Sequence, residues 1–241
     1  MLTANLMSAT VEPHEATHFE TMKTAFLPLV AAAFAASLVS SQAQSNVYSA
    51  NIVGYVNLPC AAGSVANPSF TLIGNPLKAS PNNTVGAVFG ANAPADLSVL
   101  TWNGVSFDEN ASYGGGVWDD DTVDVSPGKG FFVKSVNASP ITLTFVGEVM
   151  TGCMTNVIDG YFSLLCGTVP QPGDIRIDLG LNPVADDSIL TWNGASFDEN
   201  VYYGGGTWDG DPIMAVAQGF FYKQNPIAPV HTIEWIRCFY P

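Results

Sequence analysis

The sequence predicts an all-β protein made of two tandem homologous β-sandwich-like modules joined without a linker. Three observations support this prediction: one segment occurs twice, short runs are rich in β-branched and aromatic residues, and turn-forming residues separate these runs. The 23 Gly and 16 Pro residues are frequent enough to divide the chain into many short strands.

The repeat is visible directly in the letters. Residues 101–110, TWNGVSFDEN, recur at 191–200 with one change, from Val105 to Ala195. Agreement over this length does not arise by chance, so the chain contains a duplication. The further matching segments are 113–116 with 203–206 (YGGG), 118–119 with 208–209 (WD), and 130–134 with 219–223 (GFFVK and GFFYK).

The two copies are expected to span 45–146 and 147–241. Residues 141–149 resemble one unbroken strand that ends the first copy and opens the second. No Gly-, Pro- or Ser-rich linker lies between the copies, so we expect two tightly joined halves.

Short strands are predicted throughout the first copy, and only residues 84–89 could form a helical turn. Asn103-Gly104 predicts a hairpin with a type I′ turn, since this pair accepts positive φ angles. Residues 126–129, Ser-Pro-Gly-Lys, predict a second turn, and the missing Pro-Gly at 217–219 predicts a degenerate turn in the second copy. The predicted strands are 47–58, 70–73, 98–102, 131–136 and 141–149.

Residues 22–43 have the pattern of a secretory signal. A short positive start at Met22-Lys23 precedes an apolar stretch over 25–39 and small residues that fit cleavage after Ala43. A membrane-spanning helix needs about 20 apolar residues, so no stable membrane span is expected after cleavage. Residues 1–21 are a doubtful extension, with translation expected to start at Met22; the alternative is a cytosolic segment followed by an uncleaved anchor. The expected location is secreted, periplasmic or cell-surface.

The charge balance excludes some partners. The chain has 7 Lys+Arg against 21 Asp+Glu, a net charge of −14. Nucleic acids and anionic membrane surfaces bind mainly through cationic side chains, so neither is an expected partner.

The motif order resembles that of a family of uncharacterised secreted bacterial proteins. The resemblance rests on VYSANIVGYVN at 47–57, FTLIGNP at 70–76, LTWNG at 100–104 and PGKGFFVK at 127–134. It covers nearly the whole chain after the signal and implies an exported β-module. That family has no assigned activity, so the resemblance implies no catalytic residues.

Four cysteines in an exported chain suggest disulfides, with three possible pairings. Cys153 and Cys166 flank a turn and could link adjacent strands, which would leave Cys60 and Cys238 to join the ends. The alternative is four buried free thiols. A zinc site is not expected, since no C-x-x-C pair occurs.

Repeated aromatic residues form one candidate ligand-binding set. Their first interpretation is packing between strands, and the second is a sugar-stacking face. Exposed and coplanar Trp118 and Trp208 would favour the second. The candidates are Trp102, Tyr113, Trp118, Trp192, Tyr203 and Trp208.

Repeated carboxylates near the Gly-rich loops form a candidate calcium site, because Ca²⁺ takes several oxygen ligands. No EF-hand spacing is present, and a solvated acidic loop is the alternative. The candidate ligands are Asp119, Asp121, Asp124, Asp209 and Asp211.

Other chemistries find little support in the sequence. His231 is the one histidine after the signal, its counterpart is Ile141, and no nucleophile elbow occurs. The loops at 114–116 and 204–206 lack the Lys and the helix of a phosphate site. We therefore expect no enzyme but an exported structural or adhesive protein whose partner is an extracellular polysaccharide or a surface protein. Alternatives are a carbohydrate-binding module, calcium-assisted or not, and, less favoured, a glycoside hydrolase, for which one cleft with two carboxylates would be diagnostic.

Overall fold

The computed structural model describes residues 52–240, so the expected signal at 22–43 and the extension at 1–21 lie outside the described part of the chain. All strand pairs in 52–240 are antiparallel, and a single short α-helix accompanies them. The all-β prediction is confirmed. Within 52–240 no helix is long and apolar enough to cross a membrane.

The first copy contains seven strands, a short helix and a 3-10 turn. They are β1 (Ile52–Cys60), β2 (Ser69–Gly74), α1 (Val85–Phe89), the 3-10 turn (Gly90–Asn92), β3 (Ala95–Trp102), β4 (Phe107–Gly114), β5 (Val117–Trp118), β6 (Gly130–Ser135) and β7 (Ile141–Val149).

The second copy contains nine strands. They are β8 (Gly152–Ile158), β9 (Phe162–Cys166), β10 (Gly173–Asp174), β11 (Ser188–Trp192), β12 (Phe197–Gly204), β13 (Thr207–Trp208), β14 (Ile213–Met214), β15 (Gly219–Lys223) and β16 (Ile233–Phe239).

Both copies have the same sheet topology. The first forms a five-stranded sheet in the order β2-β6-β3-β4-β5, and the second forms one in the order β9-β15-β11-β12-β13. A two-stranded ribbon accompanies each sheet, β1-β7 in the first copy and β8-β16 in the second. The two copies identified by their repeated sequence therefore also share the same strand order.

Strand β7 lies next to the join between the copies. As predicted, 141–149 is one strand, and it pairs with β1 along its whole length, from Ile141 opposite Cys60 to Val149 opposite Ile52. Alternate residues Leu143 and Phe145 are buried, as the two-residue period of a strand requires. The expected boundary between 146 and 147 thus falls inside this strand, and only residues 150–151 separate it from β8.

Asn103 closes a hairpin in which Trp102 pairs with Phe107. The predicted hairpin is confirmed, but its turn is not type I′: the loop has four residues, and only Gly104 among them has a positive φ, 98°. The Asn103 side chain determines this geometry, because its Oδ1 accepts hydrogen bonds from the N–H of Val105 (3.0 Å) and of Ser106 (2.8 Å). Asn193 does the same in the second copy.

The turn before β15 corrects another expectation. Gln218 N donates to the Ala215 carbonyl (3.2 Å), as Lys129 N donates to Ser126 (3.0 Å) in the first copy, so the turn is complete. Ala217 occupies the glycine position with a φ of 58°, against 97° for Gly128. The degenerate turn predicted here is wrong, because Ala217 accepts a conformation that costs about 1–2 kcal/mol outside glycine.

Three apolar clusters hold the described residues together. One lies between the first sheet and its ribbon and includes Phe131 and Phe145, and its counterpart in the second copy includes Phe220 and Trp235. The third, which we call the junction, lies between the two five-stranded sheets and is built around Leu72, Phe132, Leu164 and Phe221. Each sheet is therefore covered on both faces, by its own ribbon and by the other copy.

Candidate functional site

The junction contains most of the aromatic residues that the repeat preserves. Trp102 packs edge-on against Phe221 of the other copy, with ring centroids 5.3 Å apart, and Trp192 packs against Phe132 at the same distance. Such edge-to-face pairs add about 0.5–1.5 kcal/mol beyond the area they bury. The packing interpretation therefore accounts for both tryptophans.

Two reciprocal hydrogen bonds reinforce this packing. Trp102 Nε1 donates to the Phe162 carbonyl (3.2 Å), and Trp192 Nε1 donates to the Phe70 carbonyl (3.0 Å). Each bond leaves one copy and ends on the edge strand of the other. The same contact made once in each direction is the pattern of an isologous two-fold interface, here formed within one chain.

Trp118 and Trp208 lie elsewhere. Both are buried, Trp118 against Phe89 (centroids 5.1 Å apart) and Trp208 against Tyr202 (4.9 Å). Neither indole presents a face to solvent, so this structure lacks the exposed Trp118–Trp208 pair that would favour a sugar-binding face.

Tyr113 and Tyr203 are exposed, near the ends of strands β4 and β12, and neither is stacked on a junction tryptophan. The Tyr113 hydroxyl donates to Asp119 Oδ1 at 2.5 Å, and this hydrogen bond lowers the pKa of Asp119 and raises that of Tyr113. The six candidate aromatics are therefore not brought together on one face.

The candidate calcium ligands mainly organise their own loops. Asp119 Oδ2 accepts a hydrogen bond from Ala111 N, Asp209 Oδ1 accepts one from Val201 N, and Asp124 pairs with Lys129 at 2.7 Å. Asp121 and Asp211 are exposed. Within 52–240, no group of three or more His, Cys, Asp or Glu side chains is placed to hold a metal ion.

Two grooves flank the junction at positions related by the repeat. The first, about 380 Å³, is the apolar groove, and the second, about 440 Å³, is the polar groove. Their volumes fall in the range of about 300–1,000 Å³ typical of small-molecule sites. The apolar groove is lined by Leu58, Pro59, Phe70, Trp192, Ala215 and Val216, and the polar groove by Trp102, Asp124, Lys129, Asn156, Asp159 and Phe162.

The grooves have diverged in chemistry. Leu58 pairs with Leu143 in the first copy, and Ile158 pairs with the equivalent Ile233 in the second. The residues that follow them, Pro59 and Asp159, therefore occupy equivalent positions. Asp124 and Ile213 likewise correspond, each six residues before the glycine that begins the Phe-Phe strand. Within the two linings, Asp159 of the polar groove therefore replaces Pro59 of the apolar groove, and Lys129 replaces Gln218.

A buried polar network in the second copy was missed by the sequence prediction. Asp187 is fully buried and accepts hydrogen bonds from the Tyr222 hydroxyl and from Asn225 N (2.8 Å), and His231 Nε2 lies 3.1 Å from its Oδ2. Gln224 fixes the backbone of His231 through two hydrogen bonds. Burial, together with the bond to Asp187, raises the pKa of Tyr222.

This network could have been recognised in the sequence by comparing the two copies position by position. The first copy has Leu97, Val133 and Ile141 at the positions of Asp187, Tyr222 and His231. Three positions that are apolar in the first copy are thus polar in the second. The difference between Ile141 and His231 would not by itself indicate a buried network. The three differences together indicate that Asp187, Tyr222 and His231 contact one another.

The cysteines differ from the pairing favoured from the sequence. Cys153 is bonded to Cys238, because these residues face each other on the paired strands β8 and β16, and the bond lies at the surface. Cys60 and Cys166 are buried free thiols. Desolvation raises the pKa of Cys166 to about 12 and also raises that of Cys60.

The glycine loops adopt turn geometry in both copies. Gly114, Gly115 and Gly116 all have positive φ, and so do their three counterparts at 204–206. Each loop joins two antiparallel strands and precedes no helix, so it is a hairpin turn.

Comparison of the chain with protein-family models, with curated proteins and with solved structures gives no match. The resemblance to exported bacterial modules stays a prediction, and function is inferred here from the residues and their contacts.

Proposed function

We propose that this chain is an exported, non-catalytic interaction protein in which two paired copies hold two surface grooves in a fixed relative position. One observation carries the proposal: the preserved pairs Trp102/Trp192 and Phe132/Phe221 pack at the junction, while Asp159 of one groove and Pro59 of the other differ at equivalent positions. Preserved packing residues and divergent groove residues are expected of a rigid scaffold whose surfaces bind different ligands. An apolar and a polar groove on one rigid body can contact two different features of one partner, and the second contact then forms at a high effective concentration.

The position of the histidine supports a non-catalytic function. His231 is the one histidine in 52–240, it contacts the buried Asp187, and it lines neither groove. The polar groove does hold two carboxylates, Asp124 and Asp159, the feature that would favour a hydrolase, but Asp124 is paired with Lys129 at 2.7 Å. A general acid–base pair would need groups free to exchange protons with a substrate.

Export is supported by two features. The signal pattern at 22–43 precedes the described residues, and the Cys153–Cys238 bond is of the kind that persists in oxidising compartments. The partners proposed are an extracellular polysaccharide, another surface protein, or further copies of this chain.

The proposal can be tested on the full chain expressed in a secreting bacterial host. N-terminal sequencing of the exported protein should give a start at Gln44, and sedimentation should show retention by insoluble cell-envelope or extracellular polysaccharide fractions. Assays on glycoside, ester and peptide substrates should show no turnover. Turnover of any of these substrates, or protein confined to the cytosol, would contradict the proposal.

A further inference from the structure

We infer that the polar groove is a binding site for a neutral oligosaccharide and that the apolar groove is not. This inference rests on the proposed function and gives it a ligand class. It starts from the divergence of two grooves that are equivalent in the fold.

The polar groove combines an aromatic surface with hydrogen-bonding groups. Trp102 is partly buried and Phe162 is exposed, and Asn156 and Asp159 line the same groove. Sugars present apolar C–H faces and hydroxyls, so an aromatic ring flanked by amide and carboxylate groups can contact both. The position of the Trp102 indole is fixed, because its Nε1 donates to the backbone carbonyl of Phe162.

The charges of the groove favour a neutral ligand. Lys129 is paired with Asp124 at 2.7 Å, and Asp159 adds a further exposed carboxylate. An anionic chain would meet net negative charge here, on a protein whose total charge is −14. Hydroxyl groups can donate to the carboxylate of Asp159 without this repulsion.

The apolar groove provides an internal comparison. It has the same position in the fold and a corresponding tryptophan, Trp192, but Pro59 stands where the polar groove has Asp159. Gln218 stands in place of Lys129, so the polar side chains of the apolar groove, Thr71 and Gln218, are both uncharged. Because the apolar groove has no carboxylate to accept hydrogen bonds from sugar hydroxyls, oligosaccharide binding is expected only in the polar groove.

The test uses ¹⁵N-labelled protein and the side-chain N–H signals of its tryptophans. Neutral hexasaccharides of glucose and xylose with different linkages are titrated in turn, together with an oligogalacturonate as the anionic probe. At least one neutral probe should shift the Trp102 indole and Asn156 amide signals while the Trp192 signal stays in place. The anionic probe should bind more weakly.

Two matched variants locate the site. Asp159→Ala should weaken binding about fivefold, the loss of one hydrogen bond, while Pro59→Ala at the equivalent position leaves affinity unchanged. Asp159→Asn is a second variant that keeps the size of the side chain, and it should weaken binding less than Asp159→Ala.

Several outcomes would overturn the inference: no shift with any neutral probe, equal shifts of Trp102 and Trp192, or tighter binding of the anionic probe. Retention by a surface protein without any oligosaccharide binding would overturn it and leave the proposed function intact. Cleavage of a bound oligosaccharide would have the reverse effect, since the site would stand and the non-catalytic function would fail.

Discussion

Gly74 and Cys166 face each other across the junction at equivalent ends of strands β2 and β9. Gly74 N donates to Ala217 O, and Cys166 N donates to Gly128 O, both at 3.0 Å. A Cβ on Gly74 would lie 2.2 Å from the Cβ of Cys166, a separation that no pair of carbon side chains tolerates. The two copies therefore meet here as a glycine against a cysteine.

Gly74→Ala should lower the free energy of unfolding by about 2–3 kcal/mol, because the added methyl meets Cys166 and the Lys129 carbonyl, which cannot move aside. Gly160→Ala is the control, since a Cβ there meets only ordinary contacts. Denaturant unfolding gives the comparison. The double variant Gly74→Ala/Cys166→Gly should recover part of the loss, and equal stability of Gly74→Ala and Gly160→Ala would show that the contact is not tight.

Trp102→Phe and Trp192→Phe should each cost about 1–2 kcal/mol, because each loses an indole N–H bond across the junction and some packing. The two losses should be similar, since the two environments are equivalent. Denaturant unfolding followed by circular dichroism measures both. A large cost for one variant with none for the other would contradict the reciprocal contact.

The buried network predicts strong non-additivity. Asp187→Leu alone should cost about 3 kcal/mol, because it leaves the Tyr222 hydroxyl and Asn225 N without their acceptor. The triple variant Asp187→Leu/Tyr222→Val/His231→Ile restores the residues of the first copy and should be more stable than Asp187→Leu. A triple variant less stable than the single one would mean that the three residues do not act as a unit.

Thiol labelling should follow burial. At pH 8 the native protein should react slowly with iodoacetamide, because Cys60 and Cys166 are buried with raised pKa values and Cys153 is bonded to Cys238. Denaturation without reductant should expose only Cys60 and Cys166 to the label. Peptide mass spectrometry after labelling identifies them, and a label on Cys153 before reduction would exclude the bond.

Acid should weaken two equivalent ion pairs. A hydrogen bond from Lys134 lowers the pKa of Glu109 below its usual 4.5, and Lys223 does the same for Glu199. The stabilisation is therefore present above about pH 4.5 and lost as the pH falls through the lowered pKa values. Both pairs are partly exposed, so each is worth less than about 1 kcal/mol. Glu109→Gln/Glu199→Gln should flatten the pH dependence of the melting temperature below pH 4.5; an unchanged slope would show that other carboxylates dominate.

The sequence predicted the elements that depend on local chemistry. The hairpin at Asn103, the strand over 141–149 and the short helix after Thr84 follow from turn residues and side-chain patterns near in the chain. The turn type was missed because it depends on which backbone groups the Asn103 side chain reaches. The turn at Ala217 was missed because tertiary contacts hold an unfavourable φ that local preference rejects.

The candidate site was harder to predict, because it depends on contacts between distant residues. The grooves join side chains from both copies, such as Trp192 with Leu58, and no spacing in the letters reports this proximity. The pairing of Cys153 with Cys238 likewise depends on the register of β8 against β16. A comparison of the copies in that register would have revealed both the polar groove and the Asp187 network.

The contact between Gly74 and Cys166 also affects which of the two copies can pair with each other through the junction face. In the observed geometry there is no space at this point for a side chain on both halves, so two second copies paired in the same way would bring two Cys166 side chains into collision. Pairing of one second copy with another is thereby disfavoured, and the second copy pairs preferentially with a first copy. The single divergent position thus selects pairing between unlike halves, and the short peptide connection through residues 150–151 favours the unlike half of the same chain.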